Sequence, residues 1–122
     1  MHKKHELWVN NALDVAEKSH VRMKHGCVII DSHGSLVSQG CNRYEGIANI
    51  YKPYMLGRRC SVHAEEMALR NADPKRLMGA SMYIVRISQN ETMNSKPCAR
   101  CKILIEKFMR KYGLKNAYYS SP

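Results

Sequence analysis

Two short pieces of the 122-residue sequence constrain its fold more than anything else: His63-Ala64-Glu65 and Pro97-Cys98-Ala99-Arg100-Cys101. Each stands where a helix is expected to begin. Cys98 and Cys101, three residues apart, share one face of a helical turn and can direct both sulfurs at a single ion. His63 supplies a third donor from the other helix, so the fold must bring two helix N-termini to one point. Three protein ligands leave a position for water, the pattern of a catalytic rather than a structural zinc site. Zn2+, two thiolates and a neutral imidazole sum to zero charge, and such a centre lowers the pKa of water to about 7. Helix N-termini favour thiolates further. Glu65 lies two residues from His63, about 200° around a regular helix. The two side chains therefore converge only on a metal beyond the helix end. From there a carboxylate reaches water and substrate without ligating the metal, and can carry a proton between them.

The rest of the chain predicts a frame for these turns. Residues 5–19 set Trp8, Val9, Ala12, Leu13, Val15 and Ala16 on one face, an amphipathic helix. Cys27-Val28-Ile29-Ile30 reads as a buried strand, Asp31-Ser32-His33-Gly34 as a turn and Leu36–Cys41 as its hairpin partner. Residues 42–60 show no period and predict a long loop, a length that is usually functional in a small domain. A helix over His63–Asn71, a strand over Met82–Ile87 and a polar loop over 88–96 follow. Pro97 opens a last helix whose apolar face is Cys101, Leu104, Ile105, Phe108 and Tyr112, capped by Gly113. Asn116–Ser120 is a fourth strand. The order α-β-β-α-β-α-β predicts an α/β domain spanning 1–122, a mixed sheet of about four strands with right-handed crossovers and helices on its faces.

Composition limits the setting. Lysine and arginine number 20 against 10 acidic residues, a formal charge of +10, which suits an anionic partner such as a nucleotide or nucleic acid. A hydrophobic fraction of 44% argues against disorder. Five unevenly spaced cysteines, with no signal peptide and no membrane-spanning run, point to an intracellular chain with reduced thiols and no membrane partner. Asn90-Glu91-Thr92 then matches a glycosylation triplet by chance.

The joint pattern resembles the zinc-dependent cytidine and deoxycytidylate deaminase superfamily, with its H-x-E…P-C-x-x-C signature. That superfamily includes deaminases of tRNA adenosine and of cytosine in nucleic acids. The resemblance covers nearly the whole chain. Gly26–Ile30 followed by Gly40-Cys41-Asn42-Arg43 looks like the family's first hairpin and its substrate-contacting asparagine, and His63–Arg70 is similar to a helix of bacterial tRNA adenosine deaminases. It implies a three-layer α/β/α cytidine-deaminase-like fold, zinc held by His63, Cys98 and Cys101, and Glu65 as proton shuttle. Asn42 and the Ala64 backbone would orient the sugar and the base. The implied reaction is hydrolytic deamination, cytosine to uracil in a (deoxy)nucleotide or a single-stranded nucleic acid. Self-association is implied by analogy. Two departures stand out. The sheet is shortened at the C-terminus, without the family's common fifth strand, and Asn94-Ser95-Lys96 replaces the leucine–glutamate pair usual in tRNA adenosine deaminases.

Other readings stay open beside these. Adenosine-to-inosine deamination in RNA is one alternative, and a non-catalytic zinc-stabilised nucleic-acid-binding module is another. Cys60 with His63, Cys98 and Cys101 would close a structural Cys₃His site, which leaves Glu65 and Asn42 without roles. Asn42 also suits a simple turn. The stretch Arg43–Arg59 mixes Tyr44, Tyr51 and Tyr54 with Lys52, Arg58 and Arg59, either a surface for stacking and phosphate contact or a loop packed on its own tyrosines. Lys96 and Arg100, beside the metal motif, are positioned to meet a phosphate. Cys27 and Cys41 read as small core residues and Met67 and Met82 as core methionines. Histidines 2, 5, 20, 25 and 33 read as solvated.

Overall fold

The structure, a computed structural model, describes residues 3–19, 24–44, 61–88, 91–93 and 98–120. The long central strand is β1 (Lys24–Ile30), and its unbroken apolar run Cys27–Ile30 is explained by burial on both faces. It pairs antiparallel with β2 (Leu36–Cys41) on one side and with β5 (Ser81–Ser88) on the other. Beyond β5 lie β7 (Asn116–Tyr119), parallel to its first half, and β6 (Glu91–Met93), antiparallel to its second half. Two short strands, β3 (Arg43–Tyr44) and β4 (Ser61–Val62), pair with each other as a separate ribbon. The expected mixed α/β sheet of about four main strands is thus present, with β6 added.

Side chains alternate across this sheet and define three layers. On one face, Val28, Ile30, Tyr83, Val85 and Ile87 pack against Ala12, Val15 and Ala16 of α1 (Lys3–Glu17). On the other, Cys27, Ile29, Met82 and Ile84 pack against Ala64, Ala68 and Leu69 of α2 (Ala64–Asn71) and Ile105 of α3 (Ala99–Tyr112). Gly40 brings α2 close: a Cβ there would stand 2.6 Å from the Met67 Cβ and 2.8 Å from the Ala64 carbonyl oxygen. The Ser38 hydroxyl fastens the same contact, donating to the Ala68 carbonyl at 2.6 Å. Gly113 ends α3 in the left-handed region (φ 80°), donating its N–H to Met109 O, which turns the chain back into β7.

Some expectations are corrected. The segment 88–96 contains β6 rather than loop alone, because Arg86, Ile87 and Ser88 offer it a free sheet edge that polarity patterning does not reveal. The 42–60 segment begins with β3. His5 is not simply solvated: its Nδ1 lies 2.7 Å from the Tyr83 hydroxyl, and its ring meets Tyr118 edge-on at 4.9 Å. Among the described residues, no helix is long and apolar enough to cross a membrane.

Candidate active site

α2 begins just after His63, whose extended backbone (φ −76°, ψ 151°) makes it the N-cap, and α3 begins just after Cys98, also extended. Both helix N-termini reach the same region because Gly40 and Ser38 seat α2 on the sheet while Ile105 seats α3 beside it. His63, Cys98 and Cys101 converge there, with their donor atoms all within 4.8 Å of one another. The His63 Nδ1 stands 3.2 Å from the Cys101 Sγ and 3.6 Å from the Cys98 Sγ. Ordinary Zn–N and Zn–S lengths around a tetrahedral ion imply N···S edges of about 3.6 Å. The donor set therefore fits zinc in kind and in spacing. Cys98 is exposed and Cys101 buried, so the cluster sits at the boundary between core and solvent.

The electrostatics agree with that fit. Burial pushes the Cys101 thiol well above its ordinary value, and the charges of Glu65 and Cys98 add to the effect. Burial likewise raises the Glu65 carboxyl, offset in part by hydrogen bonding and by His63. Closely packed acidic groups of this kind are what a divalent cation holds in their deprotonated form. Glu65 is 4% exposed. A buried carboxyl with a raised pKa beside a metal site is suited to taking up and giving back a proton.

The other predicted site residues divide. Asn42 is buried: its carboxamide oxygen accepts from the His25 N–H at 2.8 Å, and the Ser19 hydroxyl is shared between that oxygen at 2.8 Å and the Asn42 backbone carbonyl oxygen at 2.6 Å. That pairing fixes the orientation of the amide where β2 ends. Ala64 is fully buried at the first turn of α2. Arg100, read from sequence as a phosphate contact, donates to the Glu66 carboxylate at 3.0 Å. Tyr51, Arg58, Arg59, Lys96 and Cys60 lie outside the described residues, and the three-ligand set is that of the described residues alone.

Two residues near the site were not anticipated. Glu66 is buried, and one of its oxygens, Oε2, accepts from both Arg70 and Arg100. Tyr119 lies in the cross-sheet row Gly40–Cys27–Ile84–Tyr119, and its phenol is raised by burial and then by the Glu65 charge. The strand period could have placed Tyr119 on this face, through Ala117 two residues earlier. Nothing in the sequence pairs Glu66 with Arg100.

Comparison with known proteins agrees with this geometry. The family model described as the cytidine and deoxycytidylate deaminase zinc-binding region matches residues 2–119. The chain belongs to this family of zinc-dependent deaminases. No curated protein matches it significantly. Among solved structures, the chain is similar to a dCMP deaminase from the cyanophage S-TIM5 (TM-score 0.64, 17% identity, 97% of this chain and 99% of that one). It is also similar to a cytidine deaminase from Burkholderia pseudomallei (TM-score 0.59, 18% identity, 92% and 84%). A third likeness is to a cytidine deaminase from Mycobacterium tuberculosis (TM-score 0.55, 16% identity, 91% and 80%). At these identities the likeness is one of fold, and it bears out the α/β/α cytidine-deaminase-like architecture.

Proposed function

We propose that this enzyme hydrolyses the exocyclic C–N bond of cytosine in a (deoxy)nucleotide or a single-stranded nucleic acid, giving uracil and ammonia. The observation that carries the proposal is the convergence of His63, Cys98 and Cys101 with the buried carboxyl of Glu65 two residues beyond His63. His63, through Nδ1, and the two cysteine sulfurs hold Zn2+. When bound, the ion supplies the Lewis acidity that makes water a nucleophile near neutral pH.

Glu65 takes a proton from the attacking water and delivers it to the ring nitrogen beside the amine-bearing carbon. It then moves a second proton to the departing amine, which leaves as ammonia as the carbonyl forms. Its burial supports this role, since a raised pKa lets one carboxyl serve as base and then as acid. Asn42 and the Ala64 backbone orient the sugar and the base. The formal charge of +10 favours a phosphate-bearing substrate over a neutral nucleoside, and the likeness to the cyanophage dCMP deaminase and the Burkholderia cytidine deaminase supports the choice of cytosine.

The test is mass spectrometry of products after incubating zinc-loaded protein with cytidine, deoxycytidylate, adenosine, single-stranded DNA and a tRNA, with Glu65→Ala as control. A gain of about one mass unit in a cytosine-containing member, absent from the control, is the expected result. A gain in adenosine, or a gain in tRNA that nucleoside digestion traces to inosine rather than uridine, would replace cytosine by adenine. Stoichiometric zinc with no product from any member would favour a binding module.

A further inference from the structure

We propose that Glu66 and Arg100 form a clamp that sets the spacing between the two metal-ligand turns and so governs how firmly the ion is retained. The inference rests on the reading that His63, Cys98 and Cys101 hold zinc. Those ligands come from two helix ends far apart in sequence, and the ion needs its donors positioned to within a few tenths of an ångström. Something other than the metal must hold the two turns at that distance.

Glu66 and Arg100 occupy the right positions. Glu66 is three residues after His63, in the first turn of α2, and Arg100 lies between Cys98 and Cys101, in the first turn of α3. The Arg100 Nη2 donates to the Glu66 Oε2 at 3.0 Å, and among the described residues this is the ion pair that joins α2 to α3. An exposed pair of this kind contributes little. Here the carboxylate side chain is only 11% exposed, while the Arg100 side chain is 74% exposed and reaches inward to it. A charged hydrogen bond to a largely desolvated acceptor is directional and stronger than one at the surface.

Arg70 makes the arrangement testable. It donates to the same oxygen at 2.9 Å from within α2, four residues on from Glu66. When Arg100 is truncated, Arg70 still pairs the buried carboxylate, so the loss of the bridge is separated from the cost of an orphaned charge. Removing Arg70 in turn leaves the bridge between the helices in place. The two arginines share an acceptor, and only one of them spans the ligand turns.

The experiment measures the rate at which zinc passes from the full-length protein to a chromophoric chelator. It compares the parent, Arg100→Ala, Glu66→Gln, Arg70→Ala and the double variant Glu66→Gln/Arg100→Ala. Cobalt-substituted samples report by absorption whether the ligand set is intact. Outer partners of metal ligands typically govern affinity by about 10–100-fold. Release about 10-fold or more faster is expected for Arg100→Ala and Glu66→Gln, with Arg70→Ala within about 2-fold of the parent. The double variant should release no faster than the faster single one, because both remove the same bridge. Cobalt spectra should keep the parent's form. Unchanged release in Arg100→Ala overturns the clamp, as does simple multiplication of the two single effects. If Glu66→Gln fails to fold, Arg100→Ala against Arg70→Ala decides the matter alone. A raised KM for a phosphate-bearing substrate with unchanged release would instead make Arg100 a substrate contact. Parent protein that takes up no stoichiometric zinc would overturn the site reading itself, which zinc bound equally well by every variant would leave standing.

Discussion

In the proposed reaction Glu65 carries the greatest chemical demand of any single side chain, because it would hold a proton at one stage and release it at another. Its 4% exposure raises its carboxyl, and its place in the first turn of α2 keeps it beside the ligands without being one of them. Glu65→Gln keeps the shape and removes the titration. Turnover should fall about 10²–10⁴-fold, the usual range for a general acid–base group, while zinc content by elemental analysis stays at the parent's level. Loss of zinc together with activity would mean that the carboxylate supports the metal site rather than the proton transfer. Asn42 poses a subtler question. Ser19 and His25 fix its amide, so Ser19→Ala should raise KM with kcat little changed if Asn42 holds substrate, and should cost about 1 kcal/mol of stability in a denaturant melt. A fall in kcat at constant KM would count against that role. The convergence of His63, Cys98 and Cys101 was legible in the sequence because metal chemistry restricts both residue type and spacing. The engagement of Asn42 by Ser19 and the Glu66–Arg100 bridge were not, since each joins residues more than 20 positions apart whose meeting depends on tertiary register.

At the scale of elements, the seat of α2 on the sheet decides where His63 stands. Gly40→Ala would drive a Cβ into the first turn of α2, 2.8 Å from both the Ala64 carbonyl oxygen and the Ala68 nitrogen, so backbone must move. Overpacking of this kind costs about 1–3 kcal/mol. Because the shift falls on the turn after His63, zinc affinity should drop along with the melting temperature, and a variant that melts lower but binds zinc normally would place the strain elsewhere. The β1–β2 turn offers a pH-dependent counterpart. Asp31 accepts from the His33 and Ser35 N–H groups and pairs with Arg76, and the Ser35 hydrogen bond, then Arg76, hold its carboxyl below the usual range. The folded state therefore releases this proton more readily than the unfolded chain does. Its stabilising contribution is complete above about pH 4, the ordinary value, and is lost as pH falls through the lowered one. The difference in urea midpoint between Asp31→Asn and parent should be constant near neutrality and shrink in acid; a gap that widens in acid would contradict the assignment. Apolar period and turn residues made three helices and four strands readable. β6 escaped because its polar Glu91 and Thr92 carry no burial signal, and what holds the strand is its pairing to β5.

For the whole molecule, the two faces of the sheet depend on the metal to different degrees. The α1 face is closed by its own apolar contacts, Ala12 and Ala16 against Val28 and Val85, and its cluster, among the described residues, does not include His63, Cys98 or Cys101. The α2–α3 face joins its two helices through Ile105 below and, among the described residues, through the Glu66–Arg100 ion pair above, beside the cluster of His63, Cys98 and Cys101. An ion bound there favours the folded state by mass action, by about 2.7 kcal/mol at a free concentration 100 times the dissociation constant. Chelation should therefore lower the melting temperature, and added zinc should restore it. The loss should also be local. Hydrogen exchange in the metal-free protein should quicken at the first turns of α2 and α3, whereas the backbone amides of α1, β1 and the first half of β5 keep their protection. The His63 carbonyl, which accepts from the Met67 N–H, and the Cys98 carbonyl, which accepts from the Lys102 N–H, make Met67 and Lys102 the amides to watch. Uniform loss of protection across α1 and the sheet would mean that zinc holds the whole fold together, as it does in a structural metal domain, and would weigh against a catalytic centre set on a frame that stands without it.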